Sequence, residues 1–171
     1  AASDVYKRQS IKRDMQYHII AFKDVIVSIL AGYMMIPMVL FINNVSMLFS
    51  KNYLEAASQT LLTYPFVVQI ILMAVIPALV EEFIFRGLFY GTYRKCGILK
   101  GALMSGLVFG LFHLNINQFC YAFVIGVVFA FLVEATGSIW SSVLAHFAIN
   151  TYSITIIQLL KICLLYTSPS P

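Results

Sequence analysis

Five long runs of apolar residues, separated by short polar or glycine-containing segments, dominate the chain. A helix needs about 20 predominantly apolar residues to cross a bilayer, and most of the runs reach that length. The pattern therefore predicts an all-α fold, a polytopic membrane helix bundle of about five transmembrane helices. The predicted helices cover residues 25–49, 65–93, 99–114, 119–135 and 139–162.

The composition favours a membrane protein over a soluble one. Hydrophobic residues occupy 61% of the 171 positions and charged residues only 11%. That charged fraction is less than half of the roughly 25% usual in a soluble domain, and a soluble fold of this size has too little interior for so much apolar surface. No basic patch with interleaved aromatics accompanies the net charge of +4. We therefore expect a lipid bilayer, and no nucleic acid, as a partner.

Basic residues lie at one end of alternate predicted helices. Segment 12–23 carries three Lys or Arg before the first helix, and segment 94–100 carries three between the second and third. Cytoplasmic loops of membrane proteins are enriched in Lys and Arg. Both segments are therefore predicted to lie in the cytoplasm.

Both ends of the chain look foreign. Residues 1–9, AASDVYKRQ, and residues 163–171, CLLYTSPSP, resemble translations of a common sequencing adapter read from its two strands. Segments of this kind are excluded from fold reasoning. We therefore interpret both as adapter-derived scars and expect the protein itself to occupy 10–162, truncated at both ends.

Three ionisable residues interrupt the second predicted helix: Glu81, Glu82 and Arg86, in PALVEEFIFRGLFYG. A charge at mid-membrane costs about 2.5–3.5 kcal/mol on insertion scales, and such residues usually mark function. Glu82 and Arg86 are four residues apart on one helix face and can pair. Glu81 lies about 100° around the helix and is free to face a cavity. A purely structural ion-pair cluster is the alternative.

Two further segments carry polar residues inside apolar runs: FGLFH, which ends at His113, and HFAIN, which begins at His146 and ends at Asn150. A histidine near a helix end is commonly interfacial, and two polar groups on one helix face can simply link helices. Counting about 1.5 Å per residue from the polar turns, however, places His113 and Glu81 each about 20 Å deep, and His146 and Asn150 about 12 and 18 Å deep. Because these residues are predicted to lie at similar depths in the membrane, we favour a single functional site.

Other small and polar residues are predicted to serve structure. Glu134, at the end of the fourth helix, is expected to belong to the turn that follows it. Gly106, Gly110 and Gly126 are expected to let helices approach closely.

In this order, EEFIFR, FGLFH and HFAIN resemble the EExxxR, FxxxH and HxxxN motifs of the CPBP family of intramembrane proteases (CAAX proteases and bacteriocin-processing enzymes, also called Abi). The run EATGSIWSSVLAHFAIN is similar to the C-terminal part of that family. Each motif alone is weak, but three in order are specific. The resemblance identifies 65–162 as a CPBP-like protease domain, preceded in 10–64 by an N-terminal flank and the first helix.

The resemblance implies a peptide hydrolase and assigns a role to each motif residue. Glu81 would activate water, while Glu82 and Arg86 would position and stabilise the site. Both histidines and the amide would bind the water or the substrate carbonyl and stabilise the oxyanion. The implied catalytic residues are Glu81, Glu82, Arg86, His113, His146 and Asn150.

Metal dependence stays open at this point. Glu81, His113 and His146 could bind zinc and leave a position for water, but the chain has no HExxH sequence. No serine or cysteine is placed as an obvious nucleophile. We favour water activated by glutamate, without a cofactor, over metalloprotease chemistry.

The resemblance also implies a peptide or membrane-protein substrate. We expect an integral, multi-pass protein of a bacterial cytoplasmic membrane that cleaves a peptide leader or a membrane-anchored protein. The alternatives are a non-catalytic immunity factor, a transporter, or a membrane enzyme that acts on lipid or isoprenoid groups.

Overall fold

A computed structural model describes residues 16–51 and 60–167, with side chains as far as residue 163. These residues form five long helices and no β-strand, which confirms the predicted all-α membrane bundle. We number the helices α1 (Phe22–Ser46), α2 (Phe66–Cys96), α3 (Ile98–Phe112), α4 (Ile116–Thr136) and α5 (Ile139–Thr167).

The predicted helix ends lie within three residues of the observed ones, except that α5 continues five residues past 162. The scar predicted at 1–9 lies outside the described residues. The second predicted scar covers 163–171. Its residues 163–167 belong to α5, and 168–171 lie outside the described residues.

Helices α1, α2, α4 and α5 are long and apolar enough to cross a membrane, whereas α3 has only 15 residues. A helix of that length rises about 22 Å, which is less than the roughly 30 Å of a hydrocarbon core. The C-terminal end of α3 therefore falls within the apolar layer. Its carbonyl groups must find donors there, because lipid offers none.

Two parts of α2 are π-helical, Ile71–Val75 and Phe83–Tyr90. Pro77, which has no N–H to donate, follows the first of them. The second begins directly after Glu82. Single π-helical turns often occur at functional sites, and this one carries Arg86 on the inner side of α2.

Helix α2 packs on both α3 and α5. The 83–90 part of α2 packs on α3, and its 71–82 part packs on α5. Helix α4 contacts both α3 and α5, and α1 lies outside against α4 and α5. Glu82, Arg86 and His146 are buried where α2 meets α3, α4 and α5.

Glycines set the closest helix contacts, as predicted for Gly106, Gly110 and Gly126. A Cβ on Gly126 would lie 2.7 Å from the Cα of Gly106, and one on Gly110 would lie 2.9 Å from the Phe119 ring. Only residues without a side chain allow α3 and α4 to approach this closely.

Helix α1 reaches α5 in the same way. A Cβ on Gly32 would lie 2.5 Å from the carbonyl oxygen of Ala145. Helix α1 therefore presses against the turn of α5 that carries His146.

Buried amides join the other helix ends. Asn117, fully buried at the start of α4, donates to Ser46 Oγ at 2.7 Å and to the Asn43 carbonyl at 3.3 Å near the end of α1. Gln158 of α5 donates to Gln69 Oε1 of α2 at 2.7 Å. These bonds fix how α4 and α5 are rotated against their neighbours, since an unpaired amide in the apolar layer would be costly.

The segment before α1 lies across the start of α5. Ser138 Oγ donates to the His18 carbonyl at 2.6 Å. The Tyr17 ring contacts the rings of Phe83 and Trp140, with centroids 5.9 and 5.6 Å away. This segment therefore connects α2 to α5 close to the polar side chains of the bundle.

Candidate active site

Glu82 and Arg86 form a fully buried ion pair on the inner face of α2. Arg86 Nη1 lies 2.8 Å from Glu82 Oε1, and neither side chain is exposed. The pair is the one expected from the spacing of four residues. Because both charges are removed from solvent, each depends on the other and on its immediate neighbours.

His146 of α5 contacts the same carboxylate oxygen. Its Nδ1 lies 2.8 Å from Glu82 Oε1. A carboxylate oxygen accepts, so Nδ1 carries the proton and Nε2 keeps its lone pair in the neutral ring. The bond fixes both the tautomer and the orientation of His146, as a carboxylate does for catalytic and metal-binding histidines.

Glu81 faces the other nitrogen of that ring. Its Oε2 lies 3.8 Å from His146 Nε2, and its side chain is 23% exposed. No hydrogen bond to Glu81 occurs among the described side chains. The two adjacent glutamates therefore differ in kind: Glu82 is buried and bonded, while Glu81 is partly open and can accept a proton.

His113 follows the last residue of α3. Its Nδ1 lies 2.8 Å from the carbonyl oxygen of Phe109, so this nitrogen also carries the proton and Nε2 is again the free acceptor. The bond satisfies one of the carbonyls that α3 leaves open at its end. His113 is half-buried. It thus has a structural role and retains one nitrogen for chemistry.

Asn150 lies one turn beyond His146 on the same side of α5, about 6 Å along the axis. It is half-buried, and its amide has no hydrogen-bond partner among the described residues. The structure therefore links four of the candidate residues by contacts: Arg86 to Glu82, Glu82 to His146, and His146 to Glu81. His113 of α3 contacts the Phe109 ring, with 4.9 Å between centroids, and Asn150 lies one turn from His146. No hydrogen bond or ion pair among the described residues joins either of them to Glu81.

Two phenylalanines complete the surroundings of these groups. The Arg86 guanidinium carbon lies 4.2 Å from the centroid of the Phe109 ring and 5.3 Å from that of Phe129. The motif FGLFH had singled out Phe109, but nothing in the sequence singles out Phe129. Helix α4 is apolar around its whole circumference, so no periodic pattern marks its inner face.

Glu134 belongs to a separate polar cluster, at the end of the bundle that carries the basic residues. It accepts hydrogen bonds from the Tyr90 hydroxyl at 2.8 Å and from Arg94 Nη2 at 2.7 Å. These bonds tie α4 to the end of α2. Glu134 thus has a structural role, as predicted, but it links α4 to α2 and, among the described residues, does not bond to the turn after α4, where it was expected.

Zinc would require at least three suitable ligands around one point. Among residues 16–51 and 60–167, no three His, Cys, Asp or Glu side chains are grouped so that they could hold an ion. The set considered from the sequence, Glu81, His113 and His146, does not fit a metal in this arrangement.

The model of a family described as "Type II CAAX prenyl endopeptidase Rce1-like" matches residues 63–152, a range that contains all six candidate residues. A protein of Bacillus subtilis (strain 168) named "Putative membrane peptidase YdiL" is 33% identical over 91 residues, 53% of this chain and 37% of that protein. The chain thus spans just over a third of that relative. No solved structure matches it.

Proposed function

This chain belongs to the Rce1-like family of type II CAAX prenyl endopeptidases, and on that premise we propose that it cleaves a peptide bond inside the membrane with water activated by Glu81. The proposal depends on one observation: the two nitrogens of the His146 ring face different glutamates. Glu82 holds Nδ1 of His146 at 2.8 Å, and Glu81, unbonded, faces Nε2 at 3.8 Å.

In the proposed reaction, Glu81 takes a proton from a water molecule as the water oxygen bonds to the substrate carbonyl carbon. A general base of this kind must lie within hydrogen-bond reach of the proton that it removes. The carbonyl oxygen becomes an oxyanion in the tetrahedral intermediate. Glu81 then returns the proton to the amide nitrogen as the C–N bond breaks, which leaves a carboxylic acid and an amine.

Two groups on α5 would stabilise the oxyanion. The Asn150 amide is a donor in any protonation state. His146 can donate from Nε2 while it holds the proton that Glu81 has taken from the water, since Glu81 Oε2 lies 3.8 Å from this nitrogen. Glu82 accepts the other ring N–H, as the buried aspartate does in a serine-protease triad. Fixed donors in a dry site are worth about 3–4 kcal/mol each elsewhere.

His113 would act on the water. Its Nδ1–H is committed to the Phe109 carbonyl, so the neutral ring offers Nε2 as an acceptor. A ring in this state accepts a hydrogen bond from the attacking water and aligns it towards the substrate. This role differs from that of the two donors on α5.

The depth of the site restricts the substrate. Glu81 lies thirteen residues from Arg94, about 20 Å along the helix, so the scissile bond must enter the apolar layer. A membrane-anchored protein or a peptide leader meets that requirement. We propose such a substrate in the cytoplasmic membrane of a bacterium.

The test measures hydrolysis directly. The full chain is reconstituted in phosphatidylglycerol vesicles with a bacterial inner-membrane protein extract in water labelled with heavy oxygen. New carboxyl termini that carry one labelled oxygen are then counted by mass spectrometry. We expect labelled termini with the unaltered chain, none with Glu81→Gln, and undiminished numbers with Glu134→Gln, a carboxylate outside the site.

Labelled termini at the unaltered level with Glu81→Gln would exclude Glu81 as the base. If the unaltered chain produced none, the protease proposal would fail. A non-catalytic immunity factor or a transporter would then be the better description.

A further inference from the structure

Arg86 is buried with most of its hydrogen-bonding capacity unused. A guanidinium group has five N–H donors, yet only Nη1 has a partner here, Glu82 Oε1. Nε and Nη2 are buried and have no partner among the described residues. Buried polar groups without partners are rare in native proteins, because leaving one unpaired is costly. Another interaction must offset this burial.

Two aromatic ring faces supply it. The guanidinium carbon lies 4.2 Å from the Phe109 centroid and 5.3 Å from the Phe129 centroid, both within the distance of a cation–π contact. A Cβ on Gly126 would lie 3.3 Å from Nη2. Gly126 and Phe129 belong to the same turn of α4, so the guanidinium group is packed against that turn.

The same rings contact His146. The Phe129 and His146 centroids are 5.7 Å apart, and the Phe109 ring meets the His146 ring edge-on at 6.0 Å. Arg86 and His146 share a single atom of Glu82, its Oε1. Any movement of the guanidinium group would therefore shift this oxygen, and with it the orientation of the imidazole.

We propose that Phe109 and Phe129 are positioning residues for the reaction: their ring faces hold the Arg86 guanidinium group by cation–π contact and so fix the Glu82–His146 hydrogen bond. The proposal rests on the function proposed above. Neither ring is proposed to contact the substrate or the water. The Phe109 ring also meets the His113 ring edge-on, with 4.9 Å between centroids. The alternative is that the rings only fill space, in which case their shape matters and their electrons do not.

Stepwise fluorination of the rings distinguishes the electrostatic effect of the ring face from the effect of the ring's shape. Each added fluorine withdraws electron density from the ring face and weakens cation–π attraction while it changes the ring volume little. Monofluorinated, difluorinated and trifluorinated phenylalanine are introduced singly at positions 109 and 129. Phe85 is the matched control, since it is 1% exposed against 2% and 0% for the other two and, among the described residues, no cation lies over its ring. Its ring meets that of Phe109 edge-on, with 5.1 Å between centroids, so it also reports any effect of fluorine on ring packing alone.

The first readout is hydrolysis in the vesicle assay with the extract proteins as substrate. At positions 109 and 129 we expect the turnover rate to fall with each fluorine, by about tenfold for the trifluorinated ring, with little change in KM. At position 85 we expect no graded effect. Equal losses at all three positions, or no loss at 109 and 129, would overturn the proposal.

The second readout does not depend on proteolysis. Nitrogen-15 NMR of the vesicle-bound chain, labelled at histidine, reports the hydrogen bond at Nδ1 of His146. We expect its signal to shift progressively with fluorination at 109 and 129 and to stay in place with fluorination at 85. A constant signal in every variant would overturn the proposal.

The two readouts also separate this inference from the proposed function. If the His146 signal shifts while the unaltered chain cleaves nothing, the aromatic rings do position the imidazole and the protease proposal alone fails. If the unaltered chain cleaves but neither readout responds to fluorine, the protease proposal stands and the positioning role fails.

Discussion

The imidazole of His146 on α5 donates from Nδ1 to the carboxylate of Glu82 on α2, with 2.8 Å between the two atoms. The residues are 64 positions apart in the chain, and the bond closes the polar cluster across the bundle. It extends the Glu82–Arg86 ion pair of α2 into a unit of three residues, Arg86, Glu82 and His146. The third of these, His146, faces Glu81 with its other ring nitrogen. Four predictions follow from this unit and from the helices that carry it.

Replacing Glu82 by Gln leaves the buried guanidinium group of Arg86 without a counter-charge. Breaking one partner of a buried pair destabilises proteins by about 3–5 kcal/mol, so we expect a clear drop in the free energy of unfolding, measured in detergent micelles. The double variant Glu82→Leu with Arg86→Met should recover most of that stability, because it removes both charges, and should still cleave nothing. A double variant as unstable as the single one would contradict this account.

The roles of the two ring nitrogens of His113 can be tested separately. An asparagine side chain places an N–H near the position of Nδ1 and nothing near Nε2. We expect His113→Asn to retain the bond to the Phe109 carbonyl and unfold within about 1 kcal/mol of the unaltered chain, but to hydrolyse substrate at least about 100-fold more slowly. His113→Leu, which loses both nitrogens, should lose stability as well. Full activity of His113→Asn would show that Nε2 takes no part.

Gly32 tests whether α1 supports the site from outside. A valine there would force its Cβ onto the Ala145 carbonyl, which the structure leaves only 2.5 Å away. We expect Gly32→Val to cost about 1–3 kcal/mol, as overpacking does, and to reduce hydrolysis because the turn that holds His146 must move. Met34→Val is the control, since Met34 is 80% exposed on the outer face of α1. Equal effects of the two changes would contradict the prediction.

Metal removal tests the choice between the two chemistries. Because Glu81, His113 and His146 are not grouped to hold an ion, we expect a strong chelator to leave hydrolysis unchanged. Elemental analysis of the purified chain should find less than one equivalent of zinc. Inhibition by the chelator that only zinc reverses would contradict glutamate chemistry and point to those three residues as ligands.

Much of the site could be read from local spacing. The apolar runs located the helices because a bilayer requires helices of about 20 apolar residues, and the run 99–114 falls short of that length. The spacing of Glu82 and Arg86 predicted their pairing because residues four apart on a helix are neighbours. His146 and Asn150 were placed on one side of α5 by the same rule.

The sequence alone determined which residues are out of place in lipid, because a charge or an imidazole in an apolar run needs a reason to be there. Only the tertiary structure decided how they are used: which nitrogen of His146 and His113 carries the proton, and which of the two glutamates stays open. It also decided that Phe129 faces Arg86. Helices that are apolar all round carry no periodic signal for their inner face, so the neighbours of a buried charge depend on how the helices pack.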